Sequence, residues 1–250
     1  MNIIKANRSK KIAKIKSLAE SSPRTADKVI QLIADNIGDE AVAKIVGELS
    51  PVALNSIFDE HDETGMSTAI MLAPPQSIVE ALLYRVAEFG CVDDKRGFEY
   101  FTNLDQMLLD FFACLFFVND DRQRQFNILQ SIVDDELAAV CLIFPFPEGW
   151  KSKREKEIEI EFHNNLDPDI DPLERLDDEL SEEAQEVEMI EEKNYKEKQL
   201  NQLHELLVSY GIWDQIRHLH RGDIYLIREI RDEQLEKSVQ HNKYANAFNL

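Results

Sequence analysis

Apolar residues recur every three or four positions along most of the chain, which is the spacing of amphipathic helices. Between residues 22 and 149 these runs are short and well separated. Helix-start signals occur at Ser22-Pro23 and Ser50-Pro51, and helix-stop glycines at Gly38 and Gly90. We therefore predict an all-α fold, a multi-helix array or solenoid-like bundle, with residues 22–149 as its helical domain.

The most apolar part of this domain is LDQMLLDFFACLFFV, residues 104–118. Apolar side chains occur on every side of this predicted helix, so we expect it to be central and covered by other helices. The next helix is predicted to begin at Asn119 or Asp120. Its core-facing side is expected to carry Phe126, Leu129, Ile132 and Val133.

The segment after residue 150 differs sharply in charge. The whole chain holds 28 basic and 48 acidic residues, a net charge of −20. Residues 151–200 account for half of it, with 18 acids and 8 bases. Proline and scarce large apolar groups accompany these acids, so residues 150–180 are interpreted as an acidic linker. Residues 157–162 alternate acidic and apolar positions, which leaves strand and helix both open for residues 155–162.

A C-terminal helical subdomain is predicted for residues 181–250. Its long first helix is expected to begin after Ser181 and to end at Gly211. The apolar residues near its end, and the tryptophan that follows, are the predicted partner-binding positions: Leu203, Leu206, Leu207, Tyr210 and Trp213. The opposing interpretation is that these side chains pack back on the phenylalanine-rich domain. Trp150 and Tyr225 are further candidate interface anchors if they are exposed.

The first 21 residues are predicted to form a basic amphipathic helix. Residues 2–19 contain six lysines and arginines and no acid. Such a helix suits an anionic membrane, an acidic partner or the acidic body of its own chain. No stretch of about 20 apolar residues and no signal peptide is present, which favours a cytoplasmic protein. The cysteines Cys91, Cys114 and Cys141 are interpreted as reduced thiols.

Candidate chemistry is sparse. Asp167, Asp169 and Asp171 begin like a calcium loop, but Pro172 stands where that loop needs glycine. His218 and His220 are two positions apart, so on a helix they diverge. The chain contains no glycine-rich phosphate loop and no GxSxG motif. We therefore expect no enzyme activity and no cofactor or metal.

One acidic turn supports an alternative. Residues 59–63 bring together four carboxylates and His61. Such a set can bind a divalent ion or carry out acid–base chemistry. An enzyme with a carboxylate-based, metal-dependent site is therefore the second hypothesis, and a peripheral membrane protein acting through residues 2–19 is the third.

Residues 26–58, including the helix start Leu49-Ser50-Pro51, resemble the short-helix superhelical domains of bacteria. These include the N-terminal domain of MgtE-type magnesium transporters and the helical domains of flagellar motor-switch proteins. The resemblance implies an architecture and transfers no site residue. It suggests a bacterial assembly, such as a secretion or motor complex, as the context.

Taken together, these patterns predict a non-enzymatic adaptor, chaperone-like protein or accessory subunit. The net charge repels nucleic acid and favours a protein partner with a basic surface.

Overall fold

A computed structural model describes residues 12–19, 21–60, 67–89, 99–117, 121–152, 154–156, 185–227 and 229–230, with the backbone alone for 99–103 and 185–193. Within these residues the regular structure is entirely helical, which confirms the predicted all-α class. Residues 154–156 are helical, whereas 157–162 lie outside the described residues. The calcium-like motif, Cys91 and most of the predicted linker also lie outside them.

The helices follow one another closely. In chain order they are α1 (12–19), α2 (Pro23–Ile37), α3 (Asp39–Val46), α4 (Pro51–Glu60), α5 (Thr68–Leu72), α6 (Pro75–Glu88), α7 (Glu99–Phe116), α8 (Arg122–Val133), α9 (Glu136–Ile143), α10 (154–156), α11 (Gln185–Ser209), α12 (Trp213–Ile216), a 3-10 turn (Arg221–Asp223) and α13 (224–227).

The described part of the basic N-terminal helix packs on its own chain. Ile12, Ile15 and Ala19 of α1 are buried against the rest of the molecule. Residues 1–11 lie outside the described part. The apolar face of α1 is therefore occupied by the protein's own core at these three positions.

Helices α2 to α6 form the array that the start and stop signals predicted. Pro23 is the first residue of α2, and Gly38 ends it with φ +87°. Ser50 caps α4 by accepting a hydrogen bond from the Ala53 amide at 3.2 Å. Helix α6 begins at Pro75, because proline suits the first helical position.

The short helix α5 was not predicted from the sequence, and charged groups hold both of its ends. At its N-terminus, the buried carboxylate of Asp27 accepts hydrogen bonds from the Ser67 hydroxyl and the Ala69 amide, both at 2.8 Å. At its C-terminus, Arg124 donates to the carbonyls of Ile70 and Ala73. A negative group at the N-terminus and a positive group at the C-terminus both stabilise a helix dipole. Tertiary contacts therefore secure a helix of five residues that is too short to be stable alone.

Helix α7 is the centre of the core, as its sequence predicted. Leu104, Leu108 and Phe112 are almost completely buried. Phe111 packs against Phe58 of α4 with ring centroids 4.6 Å apart.

Two details of the following helix differ from prediction. Helix α8 begins at Arg122, and the Asp121 side chain caps it by accepting from the Arg124 amide. Phe126 is 37% exposed. Leu129 and Ile132 are buried in the core as predicted, and Val133 packs against it. Gln125 and Ile128 are the other buried residues of this side, and their spacing places Phe126 beside the buried stripe.

The C-terminal helices share the same core. Helix α11 packs along α7, where Gln199 is buried and Lys196 forms an ion pair with Asp105. Gly211 ends α11 with φ +66°, and α12 begins two residues later. Ile224 and Ile227 of α13 are also buried. The predicted boundaries between the helical domain, linker and subdomain stay predictions.

The anchoring of α5 yields a stability prediction. We expect Asp27→Ala to lower the free energy of unfolding by about 1–3 kcal/mol, because it leaves buried donors of the Ser67–Ala69 turn without their acceptor. Asp35→Ala is the matched control, since Asp35 is an exposed acid on the same helix. Urea denaturation of both variants measures the difference. Equal losses in the two variants would contradict the role given to Asp27.

Candidate protein-binding surface

The five predicted partner-binding residues do not share one surface. Leu203 and Leu207 of α11 are completely buried in the common core. They are therefore unavailable to a partner in this conformation, and for these two residues the structure favours the alternative that they pack back on the helical domain. Leu206, Tyr210 and Trp213 are partly buried at the edges of that core. Tyr210 and Trp213 contact different parts of the chain.

Tyr210 lies on the side that faces α8. The Tyr210 hydroxyl is within hydrogen-bond distance of the Gln125 side chain, at 2.9 Å, and of the Arg122 carbonyl, at 3.1 Å. Its ring centroid is 5.9 Å from that of the exposed Phe126. Tyr210 is thus held in place by α8, which limits its availability as an anchor.

Trp213 lies in a cluster of four rings that we call the aromatic cluster: Phe146, Trp150, His204 and Trp213. The His204 ring lies 4.6 Å from Trp213 and 5.0 Å from Trp150, measured between centroids. Phe146 lies 4.9 Å from Trp150 and 5.0 Å from Trp213. Phe146 is buried, whereas Trp150, His204 and Trp213 keep part of their surface exposed.

Three separate segments position this cluster. Phe146 and Trp150 belong to the turn that follows α9, in which Gly149 adopts φ +72°. His204 lies on α11, one position away from the buried Leu203. The turn at Gly211 then brings Trp213 back beside His204. Val208, one helical turn after His204, extends the apolar surface and is 51% exposed.

Two carboxylates, those of Glu155 and Glu205, act on the His204 ring of the cluster. Glu155 accepts hydrogen bonds from the amide and the hydroxyl of Ser152, both at 2.7 Å, and these bonds lower the pKa of the Glu155 carboxyl. Burial lowers the pKa of the His204 imidazole, while the negative charges of Glu155 and Glu205 act in the opposite direction. His204 is therefore neutral at pH 7.

The sequence carried two signals for this cluster. Trp150 and Trp213 were candidate anchors, and both keep exposed surface. Ser152-x-x-Glu155 is the capping-box pattern, and the Glu155 amide also donates to the Ser152 hydroxyl at 3.3 Å. The proximity of residues 150, 204 and 213 had no sequence signal, because it depends on how α11 lies against the turn after α9.

The candidate catalytic residues have structural partners where the structure describes them. Asp59 forms an ion pair with Arg85 at 2.6 Å, and Glu60 forms one with Arg24 at 2.8 Å. Residues 61–63 lie outside the described part, so the carboxylate site stays a prediction.

The remaining reactive side chains are dispersed. His220 accepts a hydrogen bond from the Gly222 amide, and His218 is exposed. Burial raises the pKa of the Cys141 thiol, and the Cys114 side chain is partly buried. Among the described residues, no group of three or more His, Cys, Asp or Glu side chains is placed to hold a metal ion.

Membrane-spanning potential is limited in the part of the chain that the structure covers. No single helix there is both long and apolar enough to cross a bilayer. The pair Asp39–Val46 and Pro51–Glu60 meets the length and composition criteria together but is bent by 114°.

Parts of the chain are similar to known proteins. Residues 5–72, which include α2 to α5, match the AtcB N-terminal domain family. The chain is also 27% identical over 137 residues to "Adaptation to cold protein B" of Shewanella oneidensis. That alignment covers 55% of this chain and 53% of the relative, so it spans about half the length of the curated protein. No solved structure matches the chain significantly.

The burial pattern of α11 predicts which substitutions in this helix lower the free energy of unfolding. We expect Leu207→Ala to lower the free energy of unfolding by about 2–5 kcal/mol, because it creates a cavity at a fully buried position. The neighbouring Val208→Ala is expected to change it by less than about 0.5 kcal/mol, because Val208 is exposed. Thermal and urea unfolding measure both variants. If Leu207→Ala changed the free energy of unfolding only slightly, the assignment of Leu207 to the core would be contradicted.

The aromatic cluster gives a pH prediction. Because burial depresses the pKa of His204 in the folded protein, the unfolded chain takes up the proton more readily. The free energy of unfolding is therefore expected to be fully retained above pH 6.5 and to decrease as the pH falls below it.

Urea midpoints between pH 7.5 and pH 5.5 measure this dependence. His204→Phe is expected to flatten the profile, whereas His218→Gln, at an exposed position, is expected to leave it unchanged. An identical slope in the wild type and in His204→Phe would contradict the prediction.

Proposed function

We propose that this chain is a non-enzymatic accessory protein of a bacterium, which acts in cold adaptation by binding another protein. The observation that carries the proposal is the aromatic cluster, where Trp150 and Trp213 keep exposed surface next to the exposed Val208. Tryptophan is strongly enriched among the residues that dominate protein–protein binding energy.

The similarity to a protein named for adaptation to cold supports the biological context. The match to the AtcB N-terminal domain covers α2 to α5 and does not reach the aromatic cluster. In this proposal the helical array is the scaffold, and the surface formed by α11, α12 and the turn after α9 contacts the partner.

Charge defines the kind of partner. With a net charge of −20, the chain attracts basic surfaces and repels nucleic acid and anionic lipid. The proposed partner is therefore a protein with a basic surface. Part of the association is electrostatic, so complex formation weakens as salt is added.

A capture experiment from the native bacterium tests the proposal. The tagged wild-type chain is expected to recover a partner in stoichiometric amount, and the yield is expected to fall when salt is raised. Trp213→Ala is expected to reduce recovery at least about tenfold, as for a central aromatic anchor. Leu32→Ala is the matched control, because Leu32 is an apolar residue of α2 that is 61% exposed. Circular dichroism verifies that both variants are folded.

Growth provides the second readout. A strain that lacks the chain is expected to grow poorly at low temperature and normally at the optimum. The wild-type chain is expected to restore growth, and Trp213→Ala is expected not to. Normal growth of the deletion strain in the cold would contradict the proposed context, and equal capture by wild type and Trp213→Ala would contradict the proposed surface.

A further inference from the structure

The aromatic cluster combines two properties that suit one type of side chain. Its indoles offer π-systems with partial exposure, and acidic side chains lie around them. Glu205 and Glu155 are both exposed and both act electrostatically on His204, which lies between the two tryptophans. A cation that contacts an indole next to a carboxylate gains from both interactions.

The other charged side chains near the cluster have both signs. Glu148 precedes Trp150 by two residues and is exposed. Lys151 is the basic neighbour and faces Glu155, whose pKa it lowers. Asp214 beside Trp213 is already paired with Arg217 at 3.2 Å. Lys156 is paired with Glu197 at 2.7 Å. The three exposed acids Glu148, Glu155 and Glu205 therefore outnumber the two exposed bases, Lys151 and Arg154, by one charge.

Two cation–π contacts within the chain both use arginine. Arg221 lies over the Phe144 ring at 5.0 Å while donating to the Phe144 carbonyl. Arg85 lies 5.8 Å from the centroid of Phe111 while paired with Asp59. In both cases a guanidinium uses an aromatic ring and an oxygen acceptor together. Arginine suits such sites better than lysine because its planar group stacks and hydrogen-bonds at once.

We propose that the surface formed by Trp150, Trp213 and Glu205 binds an arginine side chain from an exposed basic segment of a partner protein. This inference rests on the proposed function and adds the type of partner residue that binds at this surface. The guanidinium contacts the indoles, and the carboxylate of Glu205 pairs with it. No covalent step is involved.

Intrinsic fluorescence reports directly on this surface, because the chain contains two tryptophans and both belong to the cluster. The probe is an octapeptide of alternating glycine and arginine, titrated into the full-length chain at low salt. We expect the tryptophan emission to change as peptide is added and then to reach a plateau. The counterpart with citrulline, which has the same shape without the charge, is expected to give no change at the same concentrations.

Matched charge reversals separate a local site from general attraction. Glu205→Lys is expected to weaken peptide binding by about two- to fivefold, the range of an exposed ion pair. Glu80→Lys changes the net charge equally at an exposed position of α6 and is expected to stay close to wild type. Equal weakening by the two variants would overturn the proposal, and so would equal binding of the citrulline peptide or of a lysine counterpart.

The result is independent of the capture experiment. If the native partner is recovered and Glu205→Lys leaves its recovery unchanged while the arginine peptide gives no response, the arginine assignment is wrong and the protein-binding function stands. If the peptide binds as expected but no native partner is recovered at any salt concentration, the proposed function fails and the arginine-binding surface stands.

Discussion

The need to bury α7 on nearly every side is the constraint on which the rest of this structure depends. Phe111, Phe112 and Phe116 belong to one helix, and all three are buried. A helix with apolar residues all round is stable in water only if other helices surround it. Helix α4 contributes Phe58, and α11 contributes Leu200, Leu203 and Leu207 to the same core. The array around α7 is thus a consequence of its composition.

Polar contacts between helices add to the apolar core and fix how the helices are oriented. Asp27 and Arg124 hold the two ends of α5 from distant parts of the chain. Asn55 donates to the Ala81 carbonyl at 2.8 Å and so links α4 to α6. Between α7 and α11, the Gln106 side-chain amide donates to the side-chain oxygen Oε1 of Gln199 at 3.1 Å. Since a buried polar group without a partner costs free energy, these pairs favour a single arrangement of the helices.

The candidate surface follows from this arrangement. Once Leu203 and Leu207 point into the core, His204 must face the side where α11 meets the turn after α9. Gly211 reverses the chain, and Trp213 completes the cluster with Trp150 and Phe146. An acidic chain thereby presents two partly exposed indoles at the junction of three segments. This is the basis for proposing a protein-binding role and not a catalytic one.

The sequence by itself determined the all-helical class, the central position of α7 and several helix ends. These depend on local features such as apolar spacing, Pro23 and Gly38, whose effects do not need distant partners. Only the tertiary structure decided that α5 forms, that Phe126 is exposed, and that Leu203 and Leu207 belong to the core. The aromatic cluster also came from the tertiary structure. Its rings are separated by up to 67 positions along the chain, and no local pattern specifies which face of α11 meets which turn.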